Sequence, residues 1–175
     1  LAVKSLVVYE SMFGNTRLIA EAVAGGLARW FEVEAVEVGD CPDIGAYLDL
    51  VVVGGPTHAF GMTRPATRQS AAEQTEEALV SPGIGIREWL TRLTPPAGHV
   101  SAATFDTRVD KPRFPGSAAV GAHRRLQRLG FHMPVAAQSF YVDGTTGPLL
   151  EGEYERAHRW GEALGSLLAR EGAQV

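Results

Sequence analysis

The sequence predicts an α/β fold, a three-layer sandwich in which a five-stranded parallel sheet carries helices on both faces. Short apolar runs alternate with longer amphipathic ones along the 175 residues. The run 48–53 is apolar apart from Asp49, as expected of a strand buried on both faces. Polar, Gly-rich segments follow the first, third and fourth apolar runs, at 10–16, 54–64 and 104–117, and a fourth lies at 143–152. Such alternation implies right-handed βαβ units, and ligands of these sheets lie beyond the carboxyl ends of the strands, where the strand order reverses.

Taken in order, Val3–Tyr9 reads as the first strand. Leu18, Ile19, Ala22, Val23, Leu27 and Trp30 recur at three- and four-residue steps, one face of a helix over 18–30. In Phe31–Val38, Glu32 and Glu34 alternate against Val33 and Ala35, which predicts a strand near the sheet edge. Asp43–Tyr47 reads as a short helix or turn, and Leu48–Val53 as the third strand, ending in Gly54-Gly55-Pro56. Thr57–Gly85 shows no clear period, and a connection of that length is often functional, as an ordered wall or as a lid. Then come a helix over Ile86–Leu93, a strand over His99–Phe105, a helix to Leu129 with Ser117 as its N-cap, a strand over Pro134–Val142 and a last helix over Gly152–Ala169. Trp30, Trp89 and Trp160 fall on apolar helix faces, while Arg124, Arg125, Arg128, Glu76 and Glu77 read as solvated helix faces.

Composition narrows the function. With 45% hydrophobic and 21% charged residues and no apolar run near the roughly 18 needed for a membrane span, the chain reads as one soluble domain over 1–175. A net charge of −4 argues against nucleic acid as a partner. A single cysteine, Cys41, excludes an intramolecular disulfide and a multi-cysteine metal site, and fits a reducing cytoplasm. No metal ligand set and no catalytic side chain is assigned.

The segment ESMFGNT, 10–16, leaves the first strand and enters the first helix. Its N–H groups converge where the helix carries about half a positive charge, which makes an anion site. Ser11, Asn15 and Thr16 add side-chain donors, and Gly14 permits close approach or positive φ. The loop lacks the Lys of a nucleoside triphosphate loop, and the chain has no GxGxxG dinucleotide fingerprint. A monophosphate held by neutral donors remains, beside the plainer reading that Asn15 or Thr16 merely caps the helix.

These residues resemble a family. YESMFGNTRLIAEAVAGGL is similar to the phosphate loop and first helix of flavodoxins and related flavodoxin-like FMN-binding proteins. VVVGGPTHAFG resembles their second flavin loop, and AATFDTR lies where the third is expected. The likeness runs along essentially the whole chain, in particular to the compact flavodoxin-domain proteins of high-GC bacteria, with Arg supplying nearly all the positive charge. It implies strand order 2-1-3-4-5. It also implies that Ser11, Met12, Phe13, Gly14, Asn15 and Thr16 hold the FMN phosphate, that Pro56, Thr57, His58, Ala59, Phe60 and Gly61 border the isoalloxazine ring, and that Phe105, Asp106, Thr107 and Arg108 close its opposite side. Unlike acidic electron carriers, residues 54–68 hold Arg64 and Arg68 and no acid.

The function so implied is electron transfer through FMN, to a redox partner protein or a small acceptor such as a quinone. An NAD(P)H:quinone-reductase-like flavoenzyme, which would be an FMN-dependent oxidoreductase, and a non-redox flavodoxin-fold binding module are the alternatives. A cationic His58 would stabilise reduced, anionic flavin. The 144–153 segment ends near the same site and could meet a substrate or a second subunit, as in a homodimer.

Overall fold

A computed structural model describes residues 4–44 and 48–174. Five parallel strands form the sheet: β1 (Lys4–Tyr9), β2 (Glu32–Glu37), β3 (Leu50–His58), β5 (Ser101–Val109) and β6 (Gln138–Val142), in the spatial order β2-β1-β3-β5-β6. Counted without the two-residue β4 (Gly61–Met62), this is the expected order 2-1-3-4-5. The addition is β4 (Gly61–Met62), two residues antiparallel to the end of β3.

The helices are α1 (Asn15–Leu27), α2 (Pro65–Ala72), α3 (Ile86–Arg92), α4 (Ala118–Leu129) and α5 (Glu153–Gly172). Alternation along the central strands divides the core. Val7, Tyr9, Leu50 and Val52 pack with α1 and α5, whereas Leu6, Val8, Val51 and Val53 pack with α3 and α4. Both faces of β1 and β3 are therefore buried, which is why their sequences are continuous apolar runs.

The sheet edges are protected differently. β2 carries Glu32, Glu34 and Glu37. Beside β6, the first turn of α5 serves the exposed edge: the Tyr141 N–H donates to Glu153 at 2.8 Å, and Arg156 donates to the Ser139 carbonyl at 2.6 Å.

Several boundaries differ from the expectation. β3 does not stop at Val53 but runs five residues further, because Gly54, Gly55 and Pro56 continue the ladder to β5 through Pro56↔Thr107. The aperiodic 57–85 stretch is built: it holds the β3–β4 hairpin and α2, and its later part braces the first loop. Glu76 and Glu77 lie beyond α2 in a non-helical stretch, so they are not a helix face. Trp30 lies past the end of α1 and is 40% exposed; Trp89 is buried on α3 and Trp160 packs partly buried on the α1/α5 core. Of the turn expected at Asp43–Tyr47, Asp43 and Ile44 are non-helical and 45–47 lie outside the described residues, as does Val3.

Candidate functional site

Three loops leave the carboxyl ends of β1, β3 and β5 side by side. The first leaves β1 at Glu10, whose N–H donates to the Gly54 carbonyl at 2.9 Å. The Glu10 carboxylate is buried. It accepts from Thr63 Oγ1 at 2.6 Å and from the Ile86 N–H at 2.8 Å. Burial raises its pKa, and those two bonds only partly oppose the rise. Ser11 is fixed from behind: its N–H donates to Ser81 Oγ at 3.0 Å, and the Ser81 N–H donates to the Ser11 carbonyl at 2.8 Å. Val80 donates to the Met12 carbonyl at 3.1 Å.

The loop then enters α1 through Gly14, at φ +97°, a left-handed conformation that a side chain would strain. Gly14 is the N-cap, with no side-chain cap. Neither Asn15 nor Thr16 caps the helix: Asn15 Nδ2 donates to the Thr146 carbonyl at 3.1 Å, and Thr16 Oγ1 lies 2.7 Å from Thr107 Oγ1. The N–H groups of Met12, Phe13, Asn15 and Thr16 meet no acceptor among the described residues. The Ser11 hydroxyl accepts from the Gly14 N–H at 3.1 Å and keeps its own proton. The Thr16/Thr107 pair likewise needs only one of its two protons internally. The result is a cluster of neutral donors at the start of a thirteen-residue helix.

A cavity of about 70 Å³ lies among these groups, lined by Ser11, Met12, Phe13, Asn15 and Thr16 of the first loop, Pro56, Thr57 and His58 of the second, and Thr107 and Arg108 of the third. Its volume is far below the roughly 300–1,000 Å³ of most small-molecule pockets, so it suits a phosphate-sized group with any larger ring at its open side. A larger cavity, about 460 Å³, lies at the opposite, amino end of the strands beside Trp30, Phe31 and Leu168. The loops that line it enter the strands at their amino ends, through Trp30, Phe31, Asp49 and His99, whereas the site of an open α/β sheet lies at the carboxyl end.

Of the sixteen residues the family resemblance selects, the structure brings ten to the cavity wall. Gly14 shapes the loop from outside that wall. Ala59, Phe60 and Gly61 form the exposed hairpin tip, where Ala59 and Phe60 take φ values of +43° and +78°. Phe60 is 60% exposed and meets Phe114 edge-on, with centroids 6.2 Å apart. Phe105 and Asp106 do not reach the cavity. Phe105 is 1% exposed and packs on Phe140 and Trp160. Asp106, fully buried, turns to the start of α4, where Oδ2 accepts from Thr57 Oγ1 at 2.9 Å, from Ser117 Oγ and from the Ala119 N–H at 3.1 Å. Asp106 thus ties the second loop to the third. Ser117 is the N-cap of α4, as expected, accepting from Val120.

His58 is held mostly neutral, because burial, and then the nearby Arg68, push its pKa below the usual histidine range. Arg68 is not free for a ligand: it forms a two-bond pair with Glu88, at 2.9 and 3.2 Å. Arg108 is turned to the Phe114 carbonyl. Val109, Val142 and Thr145 also line the cavity. The sequence offered a cue only for Thr145, through the Gly-rich 144–153 segment.

No protein-family model matches the sequence, and no curated protein matches it significantly. Solved structures do match in shape. A flavodoxin from the domain Archaea superposes with a TM-score of 0.63 at 18% identity, over 94% of this chain and 97% of that one. The chain has the flavodoxin-like fold. A flavodoxin, WrbA-like protein from Agrobacterium tumefaciens gives 0.62 at 17% identity, over 97% and 99% of the two chains. The Flv1 flavodiiron core from Synechocystis sp. PCC6803 gives 0.62 at 16% identity, with 97% of this chain matching 37% of that one. Among the described residues no helix is long and apolar enough to cross a membrane, and no group of His, Cys, Asp and Glu is arranged to hold a metal ion.

Proposed function

We propose that this flavodoxin-like domain, 1–175, binds FMN and passes electrons through it to a partner protein or a small acceptor. The observation that carries this reading is the set of unpaired N–H groups and spare hydroxyl protons around a phosphate-sized cavity, with no Lys or Arg in the loop. Neutral donors at a helix start suit a dianionic monophosphate. The backbone of Met12, Phe13, Asn15 and Thr16 and the hydroxyls of Ser11, Thr16 and Thr107 would hold it. Pro56, Thr57 and His58 would border the ring, with Phe60 at the hairpin tip. Bound FMN supplies the one- and two-electron chemistry, and the chain supplies position and charge.

Within that reading, Asp106 fixes the spacing of the second and third loops through Thr57, Ser117 and Ala119. His58 offers the ring a neutral imidazole able to take a proton. With Arg68 committed to Glu88, the loop keeps Arg64 as its one exposed, unpaired cation for a phosphate-bearing reductant. Electron transfer therefore ranks above direct NAD(P)H oxidation. The half-buried Cys41 thiol, pushed up to about 11 chiefly by burial, is a poor nucleophile and suits a cytoplasmic carrier.

Titration of the purified protein with FMN, followed by quenching of flavin fluorescence, tests the cofactor. Saturable binding is expected, and a protein that binds no FMN lacks this function. Stopped-flow mixing of FMN-loaded protein with NADH and NADPH tests the donor: slow reduction is expected, and reduction within about a second would make the protein a reductase in its own right.

A further inference from the structure

The fourth loop, between β6 and α5, is built onto the first. Asn15 Nδ2 donates to the Thr146 carbonyl. Gly147 lies so close to that amide that an added Cβ would stand 2.4 Å from Asn15 Nδ2, and its φ of +94° also disfavours a side chain. The loop is closed on itself: the Asp143 N–H donates to the Pro148 carbonyl at 2.8 Å, and Val142 bridges to Leu149. This places Thr145 and Val142 in the cavity wall, beside Thr16 and Thr107. Asn15, itself in the cavity wall, thus commits one amide N–H to the fourth loop.

We propose that the 143–149 loop is a fourth wall of the phosphate site, in which Thr145 donates its hydroxyl to the phosphate and Asn15 acts as the anchor of that loop. The proposal rests on the FMN reading above and adds to it a ligand-binding residue outside the three strand-end loops. The chemistry is that of a monophosphate ester: a hydroxyl donor at the wall strengthens binding of the charged terminus and does nothing for the ring. Thr145 is exposed, so its substitution leaves the core intact.

FMN and riboflavin, which differ only by the phosphate, are titrated into wild type, Thr145→Ala, Thr145→Ser, Asn15→Ala and the Asn15→Ala/Thr145→Ala double variant. FMN affinity is expected to fall about tenfold in Thr145→Ala and to recover in Thr145→Ser, with riboflavin affinity unchanged. The double variant is expected to bind FMN no more weakly than the poorer single variant, because Asn15 acts through Thr145. Equal losses for FMN and riboflavin, or no loss of FMN in Thr145→Ala, would overturn the role of Thr145. Losses that multiply in the double variant would overturn Asn15 as anchor. A wild type that binds neither flavin sinks the FMN reading along with this one, whereas a wild type that binds FMN as tightly as Thr145→Ala sinks this one alone.

Discussion

The hydroxyls of Thr16 and Thr107 lie 2.7 Å apart, joining the first turn of α1 to the end of β5. One proton of the pair is left for a ligand; because Thr107 alone could still supply it, the double variant Thr16→Val/Thr107→Val is what removes the donor without emptying the core. FMN affinity should drop about tenfold, as expected for a hydrogen bond to a charged group. An unchanged dissociation constant in a fluorescence titration would place the phosphate elsewhere.

His58 should titrate low. Burial and Arg68 depress its pKa in the folded protein, so the unfolded chain takes up this proton first as pH falls through about 6.5. The protein therefore loses stability on acidification through that range, and His58→Gln should lose less. An NMR titration of the ligand-free protein should place the His58 midpoint below 6.5, and a midpoint above it contradicts the assignment.

Glu10 works with the opposite sign. Its folded pKa is raised, so the stability linked to its proton is fully present below the ordinary carboxylate range and is lost as pH rises through the folded value. Glu10→Gln carries no such proton. The stability of wild type relative to Glu10→Gln should be greatest near pH 4 and decline toward pH 7, as read from urea unfolding at each pH. A flat difference would show the Glu10 pKa to be unshifted by folding and one that grows with pH would show it lowered; either overturns the assignment.

The hairpin tip sets stability against binding. Ala59 and Phe60 both take positive φ in a two-residue turn that favours Asn-Gly. Left-handed backbone costs a residue with a side chain roughly 1–2 kcal/mol, and the lost Phe60–Phe114 edge contact is worth roughly 0.5–1.5 kcal/mol. The double variant Ala59→Asn/Phe60→Gly should therefore be more stable by about 1 kcal/mol. If Phe60 borders the ring, the same variant should bind FMN and riboflavin more weakly by a similar factor. A thermal melt and the two titrations separate these effects, and a destabilised variant would mean that Phe60 is held by more than its partner Phe114.

Much of this was legible in the sequence because strand and helix periods are local. The apolar run through Val53, the amphipathic spacing of Leu18 to Leu27 and the Ser117 cap all refer to neighbours in the chain. What escaped depends on partners far away. Gly54-Gly55-Pro56 reads locally as a strand terminator, yet the neighbouring β5 supplies a ladder that carries β3 to His58. The 57–85 stretch has no period because much of it serves the first loop through Thr63, Val80 and Ser81, contacts that repeat at no fixed interval. Asn15 and Thr16 were legible as polar residues at a helix start, but not that their side chains reach Thr146 and Thr107. The charge state of His58 stays open in the sequence for the same reason, since burial and Arg68 are invisible from the loop's own residues.

Phe105 occupies the volume that a side chain at position 54 would need: a Cβ on Gly54 would stand 2.0 Å from Phe105 Cζ. The two positions therefore behave as one inherited character. A descendant that enlarges residue 54 first cannot close β3 on β5, whereas one that first shrinks residue 105 passes through a merely under-filled intermediate. The order of mutational steps is thus constrained, and divergence at this point of the chain has one open path and one blocked path.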